Sequence, residues 1–292
     1  MRVFVTGATG WVGSAVVKEL IDAGHQVAGL ARSAEKATAL TAVGAEIVAG
    51  TLDDLDILRD AALAADAVIH TAFNHDFSRF AENARQDQLA IEIVGSALIG
   101  SARPLLVTSG FALLAPGRVA TEADLPASHP SYPRRSETAA IALAERGVRA
   151  ASVRLAPSVH GVGDHGFIPI LIGLAREKGV SAYIGDGLNR WPGVHRLDAA
   201  RLYRLALERG AAAPAFHATD DEGVAFRDIA AVIGRRLGVP VESRGREHFG
   251  WFADFAGADI PASSSRTRSL LGWEPTGPDL LTDIDQPSYY AV

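Results

Sequence analysis

The clearest chemical signal in the chain is the set of glycines in the run Thr6-Gly7-Ala8-Thr9-Gly10-Trp11-Val12-Gly13. They follow the short apolar run Arg2–Val5 and open a helical stretch, Trp11 to Ala23, that stops at Gly24. A glycine triplet between a strand and a helix lets the backbone approach a pyrophosphate closely, and the helix start aims its free N–H groups at the same point. Gly7, Thr9, Gly10, Trp11, Val12 and Gly13 are therefore expected to cradle a dinucleotide. One βα unit later, an acidic residue would accept hydrogen bonds from the ribose hydroxyls of NAD, but the chain reads Ala31-Arg32-Ser33. Arg32 can fork onto a 2′-phosphate and Ser33 can donate to it, so NADP(H) is the preferred cofactor and NAD(H) the alternative.

The Gly-x-x-Gly-x-x-Gly spacing resembles the turn of extended and atypical short-chain dehydrogenases/reductases, the NAD(P)-dependent epimerase/dehydratase-like family. The resemblance continues through Leu52-Asp53-Asp54, Val68-Ile69-His70-Thr71-Ala72, Arg154-Leu155-Ala156-Pro157-Ser158-Val159-His160-Gly161, Val194-His195-Arg196-Leu197-Asp198 and Leu271-Gly272-Trp273-Glu274-Pro275. It implies that Leu52 and Asp53 lie by the adenine, and that Thr71, Ala72 and Phe73 lie by the inner ribose or nicotinamide. Thr108 and Pro157 join the implied cofactor contacts. Family members often carry Asp two residues before the position of Asp53, where this chain has Thr51.

The family's catalytic set is a Ser or Thr just beyond the fifth strand and a Tyr-x-x-x-Lys on the next helix. Tyrosine exchanges a proton with the substrate oxygen, lysine lowers its pKa from about 10 and holds the ribose, and serine orients the carbonyl. Here the set is broken: Gly110 takes the usual hydroxyl position with Ser109 one residue earlier, and the residue four after Tyr132 is Ser136. Pro133 sets the expected helix start there, which puts Tyr132 on a loop and leaves Arg134 and Arg135 solvated at the helix end. Tyr132 and Ser109 remain the catalytic candidates, with His160 as a third. Ser158, His160, Asp164 and His165 sit in or before a glycine-rich loop where ligands of open α/β sheets bind, and are read as substrate contacts. His70, His75, Asp76, Trp191 and His195 are expected to line the same cleft. No recognised metal-ligand spacing is present.

The elements that must position these groups are legible as strands at Arg2–Val5, Gln26–Leu30, Glu46–Val48, Ala67–His70, Leu105–Thr108 and Ala151–Arg154, alternating with helical stretches. Alternation of this kind predicts an α/β fold, a Rossmann doubly wound parallel sheet with a smaller C-terminal substrate lobe. The expected boundaries are 1–155 for the nucleotide domain with a returning segment about 194–210, and 156–193 with 211–292 for the lobe. The 292 residues are 48% hydrophobic and 21% charged, with net charge −6 and no cysteine. That balance excludes thiol chemistry and disulfides, and it favours a small-molecule substrate over nucleic acid or a membrane surface. A homodimer stays open, and the start, which enters a strand directly, points to a cytoplasmic protein. The expected function is an NADP(H)-dependent oxidoreductase acting on a small carbonyl or hydroxyl group. The alternatives are a non-catalytic NADP-binding regulatory protein and a nucleotide-sugar epimerase or dehydratase.

Overall fold

Short β-branched runs separated by amphipathic stretches give a strict strand–helix alternation in the first half of the chain. A computed structural model describes residues 1–126 and 132–291. The alternating half consists of β1 (Arg2–Thr6), α1 (Trp11–Asp22), β2 (Gln26–Ala31), α2 (Ala34–Ala42), β3 (Glu46–Ala49), α3 (Leu55–Leu63), β4 (Ala67–His70), α4 (Phe80–Ser96), β5 (Pro104–Gly110), α5 (Ser136–Glu145) and β6 (Arg149–Leu155). Ser33 caps α2 as its type predicts, accepting from the Lys36 amide at 3.3 Å. The second half adds β7 (Ser158–His160), α6 (Phe167–Lys178), β8 (Ser181–Tyr183), β9 (Arg190–His195), α7 (Arg196–Glu208), β10 (Ala215–Ala218), β11 (Asp221–Ala225), α8 (Phe226–Leu237), β12 (Val241–Ser243), α9 (Ala253–Ala256), α10 (Ser265–Leu271) and α11 (Leu280–Ile284).

The central sheet runs β3-β2-β1-β4-β5-β6-β10, and all its pairings are parallel. Strand order reverses between β1 and β4, where Thr6 lies in register with His70, so the ligand crevice of a doubly wound sheet opens above these two residues. One apolar cluster, including Val5, Val16, Leu20, Leu106 and Tyr203, fills one face, and a second, including Phe4, Leu58, Val68, Ile91 and Leu143, fills the other. A third, from Ile168 to Ile284 and centred on Trp191, Phe226 and Phe252, forms the core of the smaller lobe.

Two expectations are corrected. Residues 215–218, assigned to the lobe, form the seventh strand of the central sheet, paired on β6. The four-residue run Ala-Phe-His-Ala is too short to declare itself as a buried strand by periodicity. Ala262, Leu271 and Trp273 likewise belong to the first sheet-face core, because α10 packs on α7 and β10. No helix among the described residues is long and apolar enough to cross a membrane.

Candidate active site

The glycine turn is held by close approach on two sides. A Cβ at Gly7, whose φ is +66°, would lie 2.6 Å from the Ala72 amide nitrogen, and one at Gly13 would lie 2.0 Å from the Gly7 carbonyl. Only glycine lets β1, the start of α1 and the exit from β4 meet. Gly10 donates to the Gly7 carbonyl at 2.8 Å and is the N-cap of α1, and no side chain caps the helix. The first-turn N–H groups are left for an anion, so this cradle fits a pyrophosphate. Thr9, Trp11 and Val12 are half-buried around it.

Trp11 does more than border the turn. Its indole donates to the Val159 carbonyl at 2.6 Å, the Arg196 guanidinium stacks over its ring at 4.1 Å, and the His165 ring meets it edge-on at 5.5 Å. Arg196 also donates to the Trp11 carbonyl and to Ser14 Oγ, each at 2.6 Å. The loop Gly161–Gly166 and the returning helix α7 are thereby fastened to the start of α1.

On the adenosine side, Arg32 is exposed at the end of β2 and makes no hydrogen bond or ion pair among the described residues. Asp53 accepts from Gln86 Nε2 at 2.7 Å, and Leu52 packs against the second core. At the Thr51 position, backbone and hydroxyl both bind Asp54, at 2.7 and 2.8 Å, which holds the Asp54 carboxyl below its ordinary range. Thr71 Oγ1 donates to the Thr6 carbonyl at 2.8 Å, and the Ala72 amide donates to Thr6 Oγ1 at 3.4 Å, so both border the turn.

Below the crevice lies a buried polar chain that the sequence reading missed. Thr6 Oγ1 is 2.9 Å from His70 Nδ1, and His70 Nε2 is 3.0 Å from Asp87 Oδ1. The carboxylate requires a proton on Nε2, so in the neutral ring Nδ1 accepts from Thr6. Ser136 Oγ donates to Asp87 Oδ2 at 2.5 Å and accepts from Arg134 Nε at 2.8 Å. Its one visible signal is an aspartate at an interior position of the α4 stripe Asn83, Ala84, Asp87, Ala90, Ile91. His70, expected at the cleft, is fully buried in this chain.

Ser109, Gly110, Tyr132, Arg134 and Glu137 line one recess at the carboxyl end of β5. Tyr132 meets Phe80 edge-on at 5.6 Å and precedes α5, which starts at Ser136 and not at Pro133. Proline disfavours helical geometry in the residue before it, so Tyr132 stands outside the helix. Arg134 is half-buried, not solvated as expected: it lies 4.3 Å over the Phe73 ring and donates to the Thr108 carbonyl at 3.0 Å. Thr108, expected to touch cofactor, is itself buried, its hydroxyl held by the His70 carbonyl at 2.8 Å and Tyr203 at 2.6 Å.

Glu137 is held from behind by Arg154, which is 1% exposed and donates to it through Nε at 3.0 and 3.1 Å and through Nη2 at 2.5 Å. Arg154 also donates to His217 Nε2 at 2.9 Å, while His217 Nδ1 donates to the Ser263 carbonyl at 2.7 Å. Burial, and then the Arg154 charge, hold His217 well below its ordinary pKa, as the neutral tautomer requires.

Of the other substrate candidates, His160, Asp164, His165 and His195 gather around the Gly161 loop, while Trp191 and His75 lie elsewhere. His160 is fully buried, its Nδ1 2.8 Å from Asp283, which also accepts from Tyr289 at 3.0 Å. The Tyr289 hydroxyl in turn accepts from the Gly161 amide at 2.6 Å. His160, the third catalytic candidate, thus clasps the C-terminal segment from a fully buried position. Ser158 is buried beside it. Trp191 lies inside the lobe core, edge-on to Phe226 at 5.0 Å, and is a packing residue. Asp164 accepts from the Gly166 amide at 2.7 Å, and burial pushes its pKa up to about 6. His165 and His75 are exposed, His75 edge-on to Phe73 at 5.3 Å, while His195 is half-buried with its ring 5.7 Å from His160. Pro157 is half-buried between β6 and β7. Among the described residues no group of three or more His, Asp or Glu could hold a metal ion.

Comparison with known proteins agrees with this geometry. A model of the NAD dependent epimerase/dehydratase family matches residues 3–218. An uncharacterised protein of Schizosaccharomyces pombe, C2A9.02, is 47% identical over 297 residues, covering 99% of this chain and 100% of its own. A Stigmatella aurantiaca protein, 4-hydroxy-2-methyl-3-oxo-4-farnesyl-3,4-dihydroquinoline-1-oxide ketoreductase, is 27% identical over 253 residues, 83% of this chain and 75% of its own. DesIV, a dTDP-glucose 4,6-dehydratase of Streptomyces venezuelae solved with NAD and TYD bound, shares the fold with a TM-score of 0.79 at 18% identity, covering 99% of this chain and 97% of its own. With its glycine cradle at the switch point of a seven-stranded parallel sheet, the chain belongs to the NAD-dependent epimerase/dehydratase family of NAD(P)-binding Rossmann proteins.

Proposed function

We propose that the protein is an NADP(H)-dependent oxidoreductase acting on a small carbonyl or hydroxyl compound. The observation that carries this reading is the shared recess of Tyr132 and Ser109 at the carboxyl end of β5, one strand from the switch point. NADP(H), when bound, supplies the hydride donor or acceptor. In reduction Tyr132 gives its phenolic proton to the substrate oxygen, and Ser109 donates a hydrogen bond to the same oxygen. Arg32 and Ser33 receive the 2′-phosphate, an exposed guanidinium with no partner among the described residues being free to fork onto it. Thr71, Ala72 and Phe73 border the nicotinamide side, and the lobe built on the third apolar cluster closes the substrate side.

The test is NADPH oxidation with a panel of small aldehydes and ketones. Tyr132→Phe is expected to lower kcat by roughly 10²- to 10⁴-fold with little change in NADPH affinity. Equal turnover by this variant would refute the proton-donor role. The likeness to DesIV favours a second reading, epimerase or dehydratase chemistry on a nucleotide sugar. That reaction returns the cofactor to its starting state, so sustained NADPH consumption separates the two. Tight NADPH binding without turnover of either substrate class would instead favour a regulatory role.

A further inference from the structure

One buried carboxylate has no task in the site described above. Asp87, 1% exposed, accepts from His70 on one oxygen and from Ser136 on the other. Each neutral member of that chain passes one donor toward the carboxylate, so its direction is set: Arg134 to Ser136 to Asp87 from one side, Thr6 to His70 to Asp87 from the other. A buried carboxylate costs desolvation, and it is offset here by a cation one hydroxyl away. That cation is the guanidinium lying over Phe73 from the exit of β4 and bonded to the Thr108 carbonyl of β5.

We propose that Arg134 is the fixed cation of this site, in the role for which the family uses lysine. Ser136, four residues after Tyr132, has become the anchor for an arginine two residues earlier, and Asp87 holds that anchor. Nε and Nη2 are committed to Ser136 and Thr108, which leaves Nη1 as the nitrogen that would donate to the cofactor's nicotinamide-side ribose. The assignment rests on Tyr132 as proton donor for its second part. As the carbonyl carbon takes hydride, the phenolic proton passes to the carbonyl oxygen, and the tyrosinate left behind shares the recess with the guanidinium until solvent returns the proton. Arg134 is thus a positioning residue for the cofactor and a countercharge for the phenolate.

The experiment combines NADPH titration by fluorescence with steady-state kinetics on small aldehydes, for wild type, Arg134→Lys, Arg134→Met and Ser136→Ala. Arg134→Met is expected to weaken NADPH at least about tenfold, the scale of one charge-assisted hydrogen bond, and to lower kcat about a hundredfold while the aldehyde KM moves less than threefold. Arg134→Lys restores NADPH affinity to within about threefold, and Ser136→Ala, which frees the guanidinium, falls between. If Arg134→Met does not fold, Ser136→Ala against Arg134→Lys makes the same comparison. NADPH affinity unchanged in Arg134→Met, or equally poor in the lysine variant, overturns the assignment. If no aldehyde is turned over by wild type while the affinity ratios hold, the oxidoreductase reading fails and the ribose role of Arg134 stands.

Discussion

Breaking the Arg154–Glu137 pair should unfold the protein far more readily than breaking any surface pair. Arg154 is 1% exposed, and its donors all end on protein: Glu137, the Thr121 and Asp124 carbonyls, and His217. Glu137→Gln keeps the shape but leaves a guanidinium in a dry environment without its countercharge, at a cost of about 3–5 kcal/mol. At roughly 2–4 °C per kcal/mol for a chain of this size, Tm should fall by about 6–20 °C. Arg154→Met strands the carboxylate and should cost a similar amount. The double variant removes both charges, so it should be more stable than the sum of the single losses by at least about 2 kcal/mol. Urea unfolding followed by circular dichroism, with scanning calorimetry, measures all four corners of the cycle. The exposed pair Lys18–Asp22 serves as a control that should leave Tm unmoved. Additive losses, or single variants as stable as wild type, would refute the buried pair as the clamp on the recess.

Three further expectations follow from the geometry. Arg32→Ala should weaken NADPH about tenfold or more and leave NADH affinity alone, measured by fluorescence titration; an unchanged ratio would remove Arg32 from the 2′-phosphate site. Gly110→Ser adds a Cβ whose sole neighbour within 4 Å among the described residues is the Leu155 carbonyl at 3.7 Å, so the hydroxyl fits and should raise kcat/KM for aldehydes up to about tenfold. A fall instead would mean that Ser109 already fills that role. Burial pushes the Asp164 carboxyl up to about 6 from an ordinary 3.8, so the folded state holds a proton that the unfolded state has lost between those values, and stability declines as pH rises through the window. Asp164→Asn, which can still accept from the Gly166 amide, should gain up to roughly 3 kcal/mol above pH 6 and nothing below about 4, by urea unfolding across pH. A constant gain at every pH would contradict the burial argument.

The α/β class, the positions of the first six strands and the glycine cradle were legible in the amino-acid sequence alone. These rest on local rules: apolar alternation, helix caps, and the requirement for glycine where backbone meets backbone at Gly7 and Gly13. It also showed that the usual Tyr-x-x-x-Lys couple is broken at Ser136. The Arg134–Ser136–Asp87–His70 chain behind that break was invisible in the sequence, because α4, β4 and the start of α5 become neighbours by sheet order, which no spacing along the chain records. For the same reason His160 and Trp191, chemically suggestive in the sequence, prove to be a buried clasp and a core residue. Burial depends on which distant segments pack over a side chain, and residue type alone does not carry that information.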